Sequence, residues 1–459
     1  MTSTTCSTWV RAVSLAGLVV AVSCKPVDAP DQNAQALSDL TGSPSVSAVA
    51  TATQGLIRGM RGTLSTQLYS RLGREGYNLD PGNPQNFPGF YTTLADLAPW
   101  AGPYANIKLA NLVIAPLDKV TGLTAAQRES IRGFAKTIKA IGLLTVIRAT
   151  DAFGALVDAT ANPADPPAPI STRDQVYAEI LKLLDEAKTH LSAGGGSFPF
   201  LLGTGFAGFD TPATFLTFNR AIRARANIEL KNYAAALVDL SGSFLDTSAP
   251  LSKGVYHRYS LVSGDVVNNL YEGVPRLYFV HPRIRANAQK QANGSLDARV
   301  AGKVKAIPPF NRFGLVNVSD TWTNYPAQAA SIPYLRNEEL ILLRAEANYA
   351  NGTGNAAAAL VDINFIRVNS GGLPPLTLPY TPAVGAPATL LDEILYNKTY
   401  SMMWEEGSSS WLDARRYGKL AQLPHDLPGH VVFPYLRIAD SECAARTVKP
   451  AGCTTPAGI

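Results

Sequence analysis

The sequence predicts a mainly α fold, a helical-repeat scaffold of αα-hairpins carrying a loop-rich insertion with short strands. Three observations predict it. Within residues 334–369, Leu340, Leu343, Ala347 and Ala350 recur at helical spacing, and Ala359, Leu360, Ile363 and Ile366 do so again after Asn351-Gly352-Thr353-Gly354. Glycine accepts positive φ without a Cβ clash, so the chain can reverse there, and the small alanine faces let the two helices pack closely. Second, an earlier stretch repeats this one. Arg223-Ala224-Arg225-Ala226-Asn227 aligns with Arg344-Ala345-Glu346-Ala347-Asn348, and Ala234-Ala235-Ala236-Leu237-Val238-Asp239 aligns with Ala357-Ala358-Ala359-Leu360-Val361-Asp362. Alanine-rich helices resemble one another by composition, but here charged and amide positions match as well, the mark of stacked repeats. Third, residues 244–332 hold few helical patterns and many Gly, Asn, Pro and aromatic residues.

Composition bounds the function. The 459 residues are 46% hydrophobic and 16% charged, which fits a folded globular protein. The net charge of +5 is spread along the chain with no Lys/Arg run, so nucleic acid is not an expected partner. At the N-terminus, Arg11 precedes an apolar run over 12–22 that is too short to span a membrane and suits a secretory signal. It ends Ala21-Val22-Ser23-Cys24, which resembles a bacterial lipobox with Ala in place of the usual Leu. Residues 1–23 are therefore read as a lipoprotein signal peptide, Cys24 as the lipidated mature N-terminus, and 24–45 as a flexible polar tether. An ordinary secreted protein is the competing reading. Each buried CH₂ of an acyl chain adds ~0.8 kcal/mol of membrane attachment. Cys6 leaves with the signal, so Cys443 and Cys453 remain; an exported protein would join them in a disulfide, and no His or acidic cluster beside them favours a metal.

The body, residues 46–459, is expected to be a single unit. Leu56, Met60, Leu64 and Leu68 give helical spacing across 46–72. Residues 73–100 are too dense in Pro and Gly for a helix, and the aromatics and amides of 77–91 mark a surface loop. Helices are expected over 100–117 and 125–153, the latter with a stripe of Ile131, Ala135, Ile138 and Ile141. After a Pro-rich crossing at 162–169, Ser171-Thr172-Arg173-Asp174 starts another helix with Val176, Ile180, Leu184 and Ala187 on one face, and Gly194-Gly195-Gly196 ends that region. The first repeat hairpin follows at 212–241, then the insertion at 244–332. The C-terminal segment, 333–459, holds the second hairpin, a Pro-rich link at 374–387, a helix at 390–404 and an irregular end.

Catalytic patterns are weak. Gly203-Thr204-Gly205-Phe206-Ala207-Gly208 spells GxGxxG, but helical flanks and the following Pro212 do not suit a βαβ dinucleotide site. His190, His257, His281, His425 and His430 show no HExxH spacing, and no G-x-S-x-G is present. Glu338-Glu339 and Glu405-Glu406 are carboxylate pairs in sequence, but neighbours on a helix do not face each other. Ion-paired or helix-surface carboxylates are the expected reading. No catalytic residue, cofactor or metal ligand is assigned.

Residues 394–418 contain Met403-Trp404-Glu405-Glu406-Gly407 and Trp411-Leu412-Asp413-Ala414-Arg415-Arg416-Tyr417-Gly418. This resembles the C-terminal signature of SusD/RagB-type outer-membrane lipoproteins, of the form EL…EG.R..DL.R.G. Leu343-Arg344-Ala345-Glu346-Ala347 and Asp362-Ile363-Asn364 are similar to the family's preceding hairpin, and the pattern Trp100…Tyr104…Ile107…Ala110-Asn111 fits its N-terminal half. Two departures mark a divergent member: serines fill 408–410 where the family has Arg, and the Glu-Arg pair expected near Asn397-Lys398 is changed.

The resemblance implies a tetratricopeptide-like α-α superhelix. It also implies a cell-surface, lipid-anchored outer-membrane protein that binds oligosaccharide or another nutrient and hands it to a SusC-like TonB-dependent transporter, without catalysis. Sugar rings present C–H faces that stack on aromatic side chains, and amides orient their hydroxyls. The loop segments 77–91 and 322–325 carry that mixture, so the expected ligand contacts are Tyr77, Asn78, Asn86, Trp322, Asn324 and Tyr325. Anchoring the loops to the body is the alternative role for each ring. Trp100, Trp404 and Trp411, in signature segments, are expected to be structural. On this reading Trp322→Ala weakens binding and leaves the unfolding midpoint in place. An envelope scaffold that binds protein partners is the second functional reading, and a glycan hydrolase the third.

Overall fold

In a computed structural model, the chain is described at residue 40 and over 44–459, apart from 95–97, 159–165, 272, 274–275, 353, 384 and 408–409. The signal peptide, Cys24 and nearly all of the tether lie outside the described residues. Leu40, within the tether range, is buried against the helical core.

Eleven helices of seven or more residues are found among the described residues: α1 (Val46–Met60), α2 (Leu64–Leu72), α3 (Ala101–Ile114), α4 (Ala125–Thr150), α5 (Arg173–Ser192), α6 (Pro212–Glu229), α7 (Tyr233–Ser241), α8 (Asn337–Ala350), α9 (Ala356–Asn369), α10 (Leu390–Met402) and α11 (Ser410–Arg416). From α3 to α9 each helix packs on the next, and α7 meets α8 directly although the whole insertion lies between them in sequence. The scaffold is thus a run of stacked helix pairs, as the repeat predicts. Starts are set by side-chain caps. Thr124 and Gln127, and Thr172 and Gln175, form reciprocal capping boxes at α4 and α5.

The two repeat hairpins are equivalent in bonding as well as in sequence. Arg223 on α6 donates to Asp239 on α7 at 2.7 Å, and the aligned Arg344 on α8 donates to the aligned Asp362 on α9 at 2.7 Å. At the turns, the Asn232 N–H donates to the Asn227 carbonyl and the Asn355 N–H to the Asn348 carbonyl, both at 2.8 Å.

The insertion carries most of the strands: β2 (Gly254–His257), β3 (Tyr278–Val280), β4 (Val304–Arg312) and β5 (Leu315–Trp322). Two more lie outside it, β1 (Gly76–Asn78) before and β6 (Ile332–Arg336) after. They form an antiparallel sheet in the order β1-β3-β5-β4 and a separate β2-β6 pair. Tyr77 lies opposite Phe279, and Phe279 opposite Thr321, so the sheet ties the early loop to the insertion.

Four expectations change. The 46–72 helix is broken, because Arg61 turns to an extended conformation and Gly62 follows. The hairpin's opening residues Tyr334, Leu335 and Arg336 are strand, paired with β2, and the helix begins only at Asn337. Residues 73–94, expected as a surface loop too rich in Pro and Gly for a helix, include β1, a 3₁₀ turn at Pro84–Asn86 and a short helix at Pro88–Thr92. Arg74, Leu79, Phe87, Phe90 and Tyr91 are all at 0% exposure, and the segment wraps over the core formed with Trp411 and Phe433. Its aromatics have too much apolar surface to leave in water. Finally, α10 stops at Met402 because Met403 is extended and Trp404 takes φ 60°, a strained choice for a bulky residue. That turn lays the Trp404 indole on Trp322.

Cys443 and Cys453 are joined by a disulfide with Cα atoms 5.7 Å apart, as expected for the pair. Trp100, Trp404 and Trp411 are buried, as expected for structural residues.

Candidate functional site

The six residues expected to contact a ligand fall into two groups joined by the four-stranded sheet. Tyr77 is on β1; its hydroxyl donates to Asp426 at 2.9 Å and its ring meets the edge of Phe87. Asn78 uses its carbonyl oxygen to accept the Asp80 N–H, and the Asn86 backbone carbonyl accepts from Arg71 at 2.6 Å. In the second group Trp322 ends β5 and stacks on Trp404, Tyr325 donates to the Trp404 carbonyl at 2.7 Å, and Asn324 donates to the Met403 carbonyl at 3.3 Å. Tyr77 and Tyr325 are each 2% exposed and Trp322 is 0% exposed, so in this structure their ring faces are taken up by packing. Asn86 and Asn324 are half-buried, and Asn78 is buried.

Other rings of the same region reach solvent in part. Phe310, near the end of β4, packs on Phe279, and Phe313, in the β4–β5 turn with φ 52°, lies parallel to Phe87 at 6.2 Å. Arg312 fixes this turn by donating to the Leu79 carbonyl at 2.9 Å. Exposed Asn83 and Asn311, in the two segments this bond joins, supply amides. Sequence reading missed these two phenylalanines because alternation along β4 is blurred by Pro308 and Pro309.

A recess of about 550 Å³ opens elsewhere, between α1, α2, α3, α4 and β6. Trp100, Asn106, Thr145, Tyr334 and Glu406 line it. Glu406 is 7% exposed and its Oε2 accepts from the Thr66 hydroxyl at 3.1 Å. Burial pushes its carboxyl up to about 7, against the pull of the Arg148 and Arg225 charges and the Thr66 hydrogen bond, while Glu339 adds to the rise. A shallower hollow of about 330 Å³ on the other side of α1 is lined by the Gly203–Gly205 turn together with Tyr256 and Arg258. The GxGxxG run there is a 3₁₀ turn between helices, with no βαβ unit around it.

The signature carboxylates are buried rather than on a helix surface, and three of the four are ion-paired. Arg225 grips Glu339 with two hydrogen bonds of 2.8 Å. Lys303 and Arg336 hold Glu405, and Arg336 also pairs with Glu338. Burial opposes the Glu338 charge, but Arg336 and the hydrogen bonds around it bring its carboxyl down to about 2. Gly407 is required beside them, since a Cβ there would lie 2.8 Å from Glu339 Oε2. Lys398 lies between Glu346 at 2.6 Å and Asp413 at 2.8 Å, with Arg416 on the same two carboxylates.

His257 is buried and desolvation lowers it to about 3, His281 Nε2 faces Asp426 at 2.7 Å, and His190 Nδ1 faces Glu129. Among the described residues no three His, Cys, Asp or Glu side chains are grouped to hold a metal, and no helix is long and apolar enough to cross a membrane.

A stacked helix-pair scaffold with a packed β-containing insertion is the class defined by this architecture. More particularly, it is the SusD fold. A SusD superfamily protein from Bacteroides vulgatus is 18% identical, with a TM-score of 0.61 over 82% of this chain and 89% of its own. A laminarin-binding SusD-like protein is 15% identical, with a TM-score of 0.59 over 89% of this chain and 98% of its own. A SusD-like carbohydrate-binding protein from Bacteroides fragilis is 13% identical, with a TM-score of 0.62 over 82% and 87%. No family model and no curated protein matches the chain.

Proposed function

We propose that this chain is a cell-surface outer-membrane lipoprotein that captures an oligosaccharide or comparable nutrient and delivers it to a SusC-like TonB-dependent transporter. The observation that carries the reading is the SusD fold, shared over nearly the whole length of a laminarin-binding protein and most of a carbohydrate-binding one. The lipobox-like Cys24 supplies the attachment. The protein acts by binding and needs no cofactor.

Within this reading the ligand lies on the face where the β4–β5 turn meets residues 77–91. Phe310 and Phe313 offer the partly exposed rings, and Asn83, Asn86 and Asn311 the amides. Tyr77, Asn78, Trp322, Asn324 and Tyr325 act one layer below, holding the sheet and the Trp404 turn that support this face.

The partner is tested by extracting the full chain in mild detergent from the cells that make it. A large TonB-dependent β-barrel is expected to come down with it in stoichiometric amount. Recovery of the chain alone, or with envelope-assembly proteins only, overturns the transport reading and favours the scaffold alternative.

A further inference from the structure

We infer that the recess walled by Trp100, Asn106, Thr145, Tyr334 and Glu406 is a second binding site on this chain, for a small molecule that carries a primary ammonium on a body with one apolar face. A hexosamine is the carbohydrate form of that chemistry. The inference is independent of the glycan face and of the transporter.

The recess is built, not superficial. Its volume of about 550 Å³ falls within the roughly 300–1,000 Å³ of small-ligand pockets. Its polar walls are deep: Tyr334 is 4% exposed, Asn106 is 6% exposed and Glu406 is 7% exposed. Trp100, Leu64 and Ile141 give an apolar side for C–H groups. Access is kept by Gly62 and Gly102, where an added Cβ would meet nothing within 4 Å.

Two wall groups lack partners that their burial calls for. The Asn106 side chain donates to the Leu56 carbonyl at 3.2 Å, but its own Oδ1 is buried with no hydrogen-bond partner. An unmet buried acceptor is costly, so a ligand donor is favoured there. Glu406 has the Thr66 hydroxyl and no ion pair among the described residues, whereas Glu338, Glu339 and Glu405 each have one. The guanidiniums that face Glu406 are committed elsewhere: Arg148 to Glu229 at 3.1 Å and Arg225 to Glu339 at 2.8 Å. Both unmet groups are acceptors. Among the described residues, the one cation lining the recess, Arg61, is held by the Arg258 carbonyl and Asp265, each at 2.6 Å. The site therefore suits a cationic donor and not an anion.

Protonation adds a signature. A carboxyl that burial pushes up to about 7 must lose its proton to pair with an ammonium, so affinity rises with pH below neutrality. The groups facing it are Thr66 and Tyr69 on α2, Arg148 on α4, Arg225 on α6, Glu339 on α8, and Tyr259, Tyr325 and Tyr334, and of these Arg148 and Arg225 are each held in a pair with another carboxylate.

The test is calorimetry of the full chain in detergent with glucosamine, N-acetylglucosamine and glucose, at pH 5.0 and 6.5. Glucosamine is expected to bind in preference to both neutral sugars, with affinity rising about twentyfold between the two pH values. Glu406→Gln is expected to weaken it at least tenfold at pH 6.5 and to abolish the pH dependence. Gly102→Trp, placed at the open mouth, is expected to block binding with the thermal midpoint unchanged. Equal binding of N-acetylglucosamine, a pH slope retained in Glu406→Gln, unaltered binding in Gly102→Trp, or no heat up to about 10 mM glucosamine overturns the inference. If Glu406→Gln does not fold, the acetylated sugar and Gly102→Trp still decide it.

Discussion

Trp322 and Trp404 lie ring on ring, their centroids 5.2 Å apart and their planes 2° from parallel. Both are at 0% exposure, and Tyr259, Tyr325, Ile332 and Tyr400 fill the same core. This stack joins the last sheet strand to the chain leaving α10, which makes it a structural joint. Trp322→Ala is accordingly predicted to cost about 3–5 kcal/mol of stability, the usual price of a large-to-small change at a buried tryptophan. Chemical denaturation followed by far-UV circular dichroism measures it. This prediction departs from the expectation from sequence, in which the midpoint stays in place.

Phe313 gives the contrasting case. It is half-buried, and its ring lies parallel to Phe87 at the turn that faces solvent. Phe313→Ala is predicted to weaken glycan binding by about 1 kcal/mol, roughly fivefold, as expected for one lost ring contact. Isothermal titration with a bound oligosaccharide reads this directly. Unchanged affinity would remove the turn from the ligand face.

Among the described residues, Lys398 is the one lysine in the set of buried charges that joins α8, α10 and α11 through Glu346, Asp413 and Arg416. Lys398→Met keeps the volume and removes the charge between two carboxylates. It is predicted to destabilise by about 3–5 kcal/mol, because breaking a buried pair leaves an uncompensated ion. Urea unfolding of the variant against the parent checks the size.

Glu406 makes stability depend on pH in an unusual direction. Its carboxyl rises from 4.5 to about 7 on folding, so its full contribution is kept below pH 4.5 and is lost as pH climbs to about 7. The loss above neutrality is about 3 kcal/mol. Glu229 and Glu338, held at about 2, act oppositely, adding stability as pH rises toward 4.5. Glu406→Gln isolates the first effect. The variant is predicted to be more stable than the parent at pH 8 and equal to it at pH 4, which melting curves at the two pH values will show.

The scaffold was legible because its repeat is written in charged residues. Arg223 with Asp239, and Arg344 with Asp362, match in the chain and bond alike in the fold. The strand ahead of α8 was not legible, because Tyr334, Leu335 and Arg336 run into the helix without a breaking residue. Pro and Gly density in 77–91 suggested a surface loop without helix, but the segment holds β1, a 3₁₀ turn and a short helix, and composition alone does not show that rings such as Tyr77 and Phe87 pack. The recess left no local trace, since its walls come from α1, α2, α3, α4, β6 and Glu406. Nor does the pair Glu405-Glu406 reveal in sequence that one carboxylate is held by Lys303 and Arg336 while its neighbour, among the described residues, makes no ion pair.

The central claim, capture of a carbohydrate at the cell surface, is tested most directly by affinity electrophoresis of the full chain through gels cast with a panel of polysaccharides. The account predicts retardation by at least one polysaccharide, with dissociation constants in the micromolar-to-millimolar range, about −8 to −4 kcal/mol. Migration unaltered by every polysaccharide in the panel would contradict it.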